Sequence, residues 1–335
     1  MLMILFYHCF HQLRFTVEDD PVINYFYYVL HNGVPLFLLI SGYFSIKTNW
    51  IKIFSFYLYC VIWGILPYCI AVVCNGEPFV LDTLLKQFLP FSHPNVWYPK
   101  FYFWLLLLAP LLINPALNNI TIRNHAFIII VLYICIVYFG CIWHDSSIAG
   151  GKSIIYFLYI YILGGLLRRI FDKEYDEKDK LLKSIDLVLS KTKVLGSVLL
   201  FYLIASAIGI FFLRPSYSNI LGSLIGAYHG PILPITSILI FTLFRKINIR
   251  SFSINYIASS VFAVYLFHEN LFSDFLFRNR VTDMYQTYST PFFILYTVLL
   301  IIVIFIVAVV LDNIIRKPIS AFITYTITNC INRLK

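Results

Sequence analysis

Charged residues make up only 12% of this chain, and that scarcity decides its class. A soluble domain carries roughly 25% Asp, Glu, Lys and Arg, because its surface must meet water. With 60% hydrophobic residues over 335 positions, the polar surface is too small to cover a water-soluble fold. Metal-binding spacings are missing as well. The seven cysteines (9, 60, 69, 74, 135, 141 and 330) form no CxxC or Cys/His pattern and fall mostly inside apolar runs, so they read as small packing residues. No basic region precedes residues 1–6 and no small-residue cleavage site follows them, so no cleavable signal peptide is read there. No internal repeat marks a transporter built from inverted halves. The net charge of +9 does not indicate a nucleic-acid partner, because the basic residues sit in short clusters between apolar runs.

The apolar runs themselves have membrane length. Residues 292–311 hold no charge, and about 20 helical residues at 1.5 Å each cross about 30 Å of hydrocarbon. Charge-poor windows predict ten spans: 1–15, 25–44, 53–74, 97–113, 126–143, 153–167, 194–213, 232–244, 254–272 and 292–311. The first, sixth and eighth are the weakest, and the eighth can start near Asn219 and break at Pro231 or Pro234. Alternate connections then divide the 25 Lys and Arg residues 18 to 7. By the positive-inside rule the richer side is cytoplasmic, which puts both termini inside. The expectation is an all-α polytopic integral membrane protein of about ten helices, with a membrane domain over residues 1–311. Residues 312–335 would form a cytoplasmic, amphipathic tail. Residues 168–193, mixed in sign, read as a solvated connector.

Ionisable groups at membrane depth are costly, so each is a candidate for function. His8 lies in the first span, His31 in the second, seven residues after Asn24, and His268 and Glu269 near the outer end of the ninth. A lone helix histidine ordinarily packs or caps, yet a neutral imidazole also suits general-base work on a hydroxyl. His268 and Glu269 are neighbours on a helix, which predicts that they face different ways. In the second span, Pro35 with Ser41 and Gly42 suits a wall where backbones approach closely. Trp97 and Tyr98 open the fourth span as an interfacial aromatic pair.

Five stretches in this order resemble the acyltransferase-3 family of membrane-bound O-acyltransferases: Met1 to His8, Val34-Pro35 through Ser41-Gly42-Tyr43-Phe44, Val96-Trp97-Tyr98 leading to Ala109-Pro110, Tyr161-Ile162-Leu163-Gly164-Gly165, and Ser259 to His268. The resemblance spans nearly the whole chain. It implies transfer of an acetyl or similar short acyl group from cytoplasmic acyl-CoA to a hydroxyl of a surface or exported glycan. It further implies His8 as base or acyl relay, no bound cofactor with acetyl-CoA as co-substrate, no metal, and a bacterial cytoplasmic membrane. The family's first helix usually carries an arginine about three turns before the histidine. Here Met1 stands seven residues before His8, which reads as a start inside that helix. Where many members place paired arginines after the second span, this chain has Lys47 and Lys52, able to attract phosphates but lacking the arginine fork. Ser41, Gly42, Lys47 and Lys52 are therefore expected on the donor side, and Trp97, Tyr98, His268 and Glu269 on the acceptor side. The competing readings are a non-catalytic transporter or flippase of a glycan or lipid-linked intermediate, and an inactive truncated acyltransferase.

Overall fold

The computed structural model describes residues 1–335 apart from 15, 16, 18, 19, 48, 93–96, 144, 146, 147, 149, 177, 213, 214, 334 and 335, together with the backbone alone at 215–219 and 330–333. The stretch Pro94-Asn95-Val96 ahead of Trp97 therefore lies outside the described residues, as do Phe15, Leu213, Arg214 and Lys335.

Every regular element among the described residues is helical. The main helices are α1 (Leu2–Arg14), α2 (Pro21–Phe44), α3 (Trp50–Cys74), α4 (Trp97–Asn118), α5 (Ile122–Ile142), α6 (Ile154–Phe171) and α7 (Lys180–Ser190). They continue as α8 (Thr192–Phe212), α9 (Pro215–Gly226), α10 (Ile232–Arg245), α11 (Phe252–His268), α12 (Arg278–Thr287) and α13 (Thr290–Asn329). Seven of them, α2 to α6, α8 and α13, are long and apolar enough to cross a bilayer. The chain is thus an all-helical, polytopic membrane protein. The predicted eighth and ninth spans fall on the shorter apolar helices α10 and α11, and the first on the 13-residue α1.

Short polar side chains start these helices by accepting otherwise unpaired amides. Asp20 accepts from Val22 and Ile23 ahead of α2, with Pro21 in the first turn, where its missing N–H costs nothing. Asn49, Thr121, Ser153, Asp179 and Ser251 do the same for α3, α5, α6, α7 and α11. The predicted ninth span ran to residue 272, whereas α11 stops at His268. Asn270 takes an extended backbone there, and its side chain accepts from the Phe272 amide, which turns the chain out of the helix.

The chain divides into two compact units. One comprises Met1–Leu13, Thr48–Phe103 and Arg250–Lys335. In it α13 buries Phe293, Thr297, Ile301, Ile304 and Ala308, a stripe at helical spacing, while Ile302, Val303 and Ile306 stay exposed on its other face. An apolar outer face is what lipid requires. At residues 312–316 this helix passes through a π-helical turn that holds the fully buried Asp312. Arg316 grips that carboxylate with two nitrogens, Nε at 2.8 Å and Nη2 at 2.5 Å, and Trp63 Nε1 donates to it at 3.2 Å. The buried carboxylate is thereby paired with one guanidinium and one indole N–H.

The other unit comprises Arg14–Lys47 and Trp104–Ile249, and its centre is the crossing of α2 and α6. Gly42 lies against the Tyr161 carbonyl and Gly164 against the Leu39 carbonyl, so closely that a Cβ at either position would overlap backbone. Small residues admit such an approach, and van der Waals contact then holds helices that lipid does not drive together. Nearby, Tyr161 donates to Asn114 at 2.7 Å and accepts from the Ile46 amide at 3.0 Å, tying down the end of α2. Replacing Gly42 by leucine is expected to separate the pair and lower the detergent melting temperature by several degrees, equivalent to about 2–3 kcal/mol of overpacking. An unchanged melting curve would show that the crossing tolerates side chains.

Candidate functional site

The first unit gathers three of the ionisable residues singled out above. His8, midway along α1, places Nδ1 at 2.7 Å from His268 Nε2 and 3.0 Å from Glu269 Oε1. His268 is fully buried, whereas the His8 and Glu269 side chains keep 13% and 14% exposure. The expectation that His268 and Glu269 face apart is corrected here. Glu269, the C-cap of α11, keeps helical backbone, and neighbours about 100° apart on a helix are both long enough to reach the one imidazole between them.

Hydrogen positions follow from a single carbonyl. His268 Nδ1 lies 2.6 Å from the Val264 carbonyl, which only accepts, so the proton of neutral His268 is on Nδ1. Its Nε2 then carries a lone pair and accepts from His8 Nδ1–H. The same N–H is within reach of Glu269. Neutral His8 in this tautomer carries its lone pair on Nε2, where it is able to take a proton.

Behind Glu269 stands a residue that sequence reasoning counted only as topology. Arg278 Nη2 donates to Glu269 Oε1 at 2.9 Å, and its Nη1 lies 3.3 Å from Asp274 Oδ1. Burial raises the Asp274 carboxyl above its usual value, while Arg278 opposes the rise. The Asp274–Arg278 spacing of four residues just past α11 was the available signal. Asn270 Nδ2 donates to the Trp63 carbonyl at 3.3 Å, so the turn bearing Glu269 is anchored on α3 as well.

Aromatic rings surround the histidine pair. Tyr265 lies 5.9 Å from His268 and 6.5 Å from His8, and Phe277 packs edge-on to His268 at 5.4 Å. Tyr98 joins through Tyr265 at 5.4 Å, and Trp97 sits beside Tyr98 at 6.0 Å. Of the predicted acceptor-side residues, then, His268 and Glu269 touch His8, Tyr98 is one ring away, and Trp97 one ring further. Lys52 is exposed in the first turn of α3. Ser41, Gly42 and Lys47 belong to the other unit. There the Ser41 hydroxyl donates back to the Phe37 carbonyl at 2.9 Å, Gly42 serves the helix crossing, and Lys47 is exposed past the end of α2.

Among the described residues, His8, His268 and Glu269 form a group that could hold a metal ion, with ligand atoms within 4.8 Å of one another. Ligands on a tetrahedral zinc at 2.0–2.1 Å stand about 3.3 Å apart. The 2.7 Å and 3.0 Å separations are those of direct hydrogen bonds, and Arg278 holds one oxygen of the Glu269 carboxylate. The arrangement is a histidine oriented by two acceptors, a layout suited to moving a proton.

The family model for acyltransferase-3 proteins, described as an acyltransferase domain, matches residues 1–312, and the chain belongs to that family. No curated protein and no solved structure matches the chain.

Proposed function

We propose that this protein transfers an acetyl or similar short acyl group from acyl-CoA to a hydroxyl of a surface or exported glycan, with His8 as general base. The observation that carries this reading is the placement of His8 Nδ1 against both His268 Nε2 and Glu269 Oε1. In the proposed step His8 Nε2 takes the hydroxyl proton as the acceptor oxygen attacks the thioester carbon. The new ester C–O bond forms, the C–S bond breaks, and the proton passes to the departing thiolate. Glu269 faces the imidazolium that forms, and Arg278 keeps the carboxylate aimed. Trp97, half-buried beside the buried Tyr98, offers an aromatic face on which a sugar ring stacks.

The proposal takes all ten predicted helices as spans and both termini as cytoplasmic, consistent with the 18-to-7 division of basic residues. In that frame the protein resides in a bacterial cytoplasmic membrane, and residues 312–335 lie on the donor side.

Membrane vesicles holding the protein, given acetyl-CoA labelled in the acetyl group and capsule, O-antigen or exopolysaccharide fractions, provide the test. Label is expected in a glycan ester that mild alkali releases, with one thiol freed per ester. Label remaining on coenzyme A with every fraction, while glycan crosses the vesicle, would instead establish the transporter reading.

A further inference from the structure

The connector between α6 and α8, read from sequence as solvated, contains a helix with two apolar sides. In α7, Leu182 and Leu189 are buried, and the helix packs against both α6 and α8. Beside that seam, Leu181, Ile185 and Val188 follow the i, i+4, i+7 spacing of one helical face. They are nevertheless 67%, 38% and 49% exposed. Apolar side chains gathered on one face are costly to leave in water, so this face calls for a cover.

The height of α7 against the bilayer follows from α8. The 21 residues of α8, at 1.5 Å each, give about 31 Å, which the hydrocarbon core uses in full. Thr192, its first residue, therefore stands at the edge of the hydrocarbon. Lys191 alone separates it from Ser190, the end of α7, so the last turn of α7 is at headgroup level.

The charges around this helix are one-sided. Asp179 caps its start and is bound to Arg123, and Asp186 accepts from the Tyr175 hydroxyl at 2.8 Å. Lys178, Lys180, Lys183, Lys191 and Lys193 are all exposed, and none of them forms an ion pair among the described residues. Lysine stems extend along apolar surface while their ammonium groups stay with polar partners. An apolar face at headgroup level, edged by uncancelled cations, is complementary to a leaflet that carries negative charge.

We propose that α7 is an interfacial helix that docks on acidic phospholipids of the adjoining leaflet. Leu181, Ile185 and Val188 enter the acyl-chain boundary, and Lys180, Lys191 and Lys193 meet the headgroup phosphates. The lipid composition around the protein then sets how firmly the connector is held.

Hydrogen exchange over residues 180–190 tests this on the full chain, in nanodiscs of phosphatidylcholine alone and in discs that also contain phosphatidylglycerol. Exchange is expected to be about tenfold slower with phosphatidylglycerol, and high salt is expected to remove the difference. Combined Lys180→Gln, Lys191→Gln and Lys193→Gln substitutions are expected to abolish it too, with exchange over residues 154–171 unchanged as the sign of an intact fold. Equal exchange in the two discs, fast or slow, overturns the proposal. So does a slowing that survives high salt in the parent protein, or one that the glutamine variant keeps. A slowing seen only in discs that hold two copies assigns the face to a second protein molecule and overturns it as well.

Discussion

Alanine in place of His8 is expected to remove acyl transfer while leaving the protein in the membrane. A positioned base contributes roughly 10²–10⁴-fold to rate, and in the proposed step no other group faces the acceptor hydroxyl with a lone pair set by its neighbours. His268 is not a substitute, because its Nε2 is turned toward His8 and it is fully buried. Leu5, Cys9 and Leu13 bury the rest of α1, so the helix does not depend on the imidazole for its packing. The measurement is ester formation from labelled acetyl-CoA, normalised to inserted protein. Turnover within about tenfold of the parent would remove His8 from the chemistry and leave it a packing residue.

Glutamine at position 269 is expected to give the second-largest loss, roughly a hundredfold in kcat with little change in the KM for acetyl-CoA. Gln keeps the shape and an acceptor oxygen, so the Arg278 bond survives in weaker form. What disappears is the negative charge opposite His8 at the moment His8 becomes positive. A ground-state role would show a different pattern. If Glu269 only fastens the turn after α11, Gln is tolerated, kcat holds, and the melting temperature falls instead. Measuring kcat, KM and melting together on one preparation separates the two roles.

The helices were legible because a bilayer imposes a length on apolar runs, so residues 292–311 or 53–74 announce themselves one at a time. The start of the ninth helix was readable too, but its end was not. Nothing apolar or charged stops α11 at His268; an Asn270 side chain does, through its bond to the Phe272 amide. The separation of His268 from Glu269 in the sequence reading came from their being helix neighbours, yet both side chains reach His8. The meeting of His8 with His268, 260 positions apart, is tertiary information that no local pattern contains. Arg278 was visible only as a charge in a topology count, because its contact is with Glu269. Asp312 fell just beyond the last predicted span and was passed over, since its partner Trp63 lies on a helix far away in sequence.

The distance along the chain between His8 and its partners has a consequence for how the protein is made. Translation proceeds from the N-terminus, so α1 is synthesised long before residues 268–278 leave the ribosome. Until then His8 has neither of its acceptors, and Glu269 has no Arg278 to aim it. The site is therefore one of the last things this chain completes. A nascent chain halted before about residue 280 therefore holds most of the predicted helices without the contacts of His8 to His268 and Glu269 or of Glu269 to Arg278.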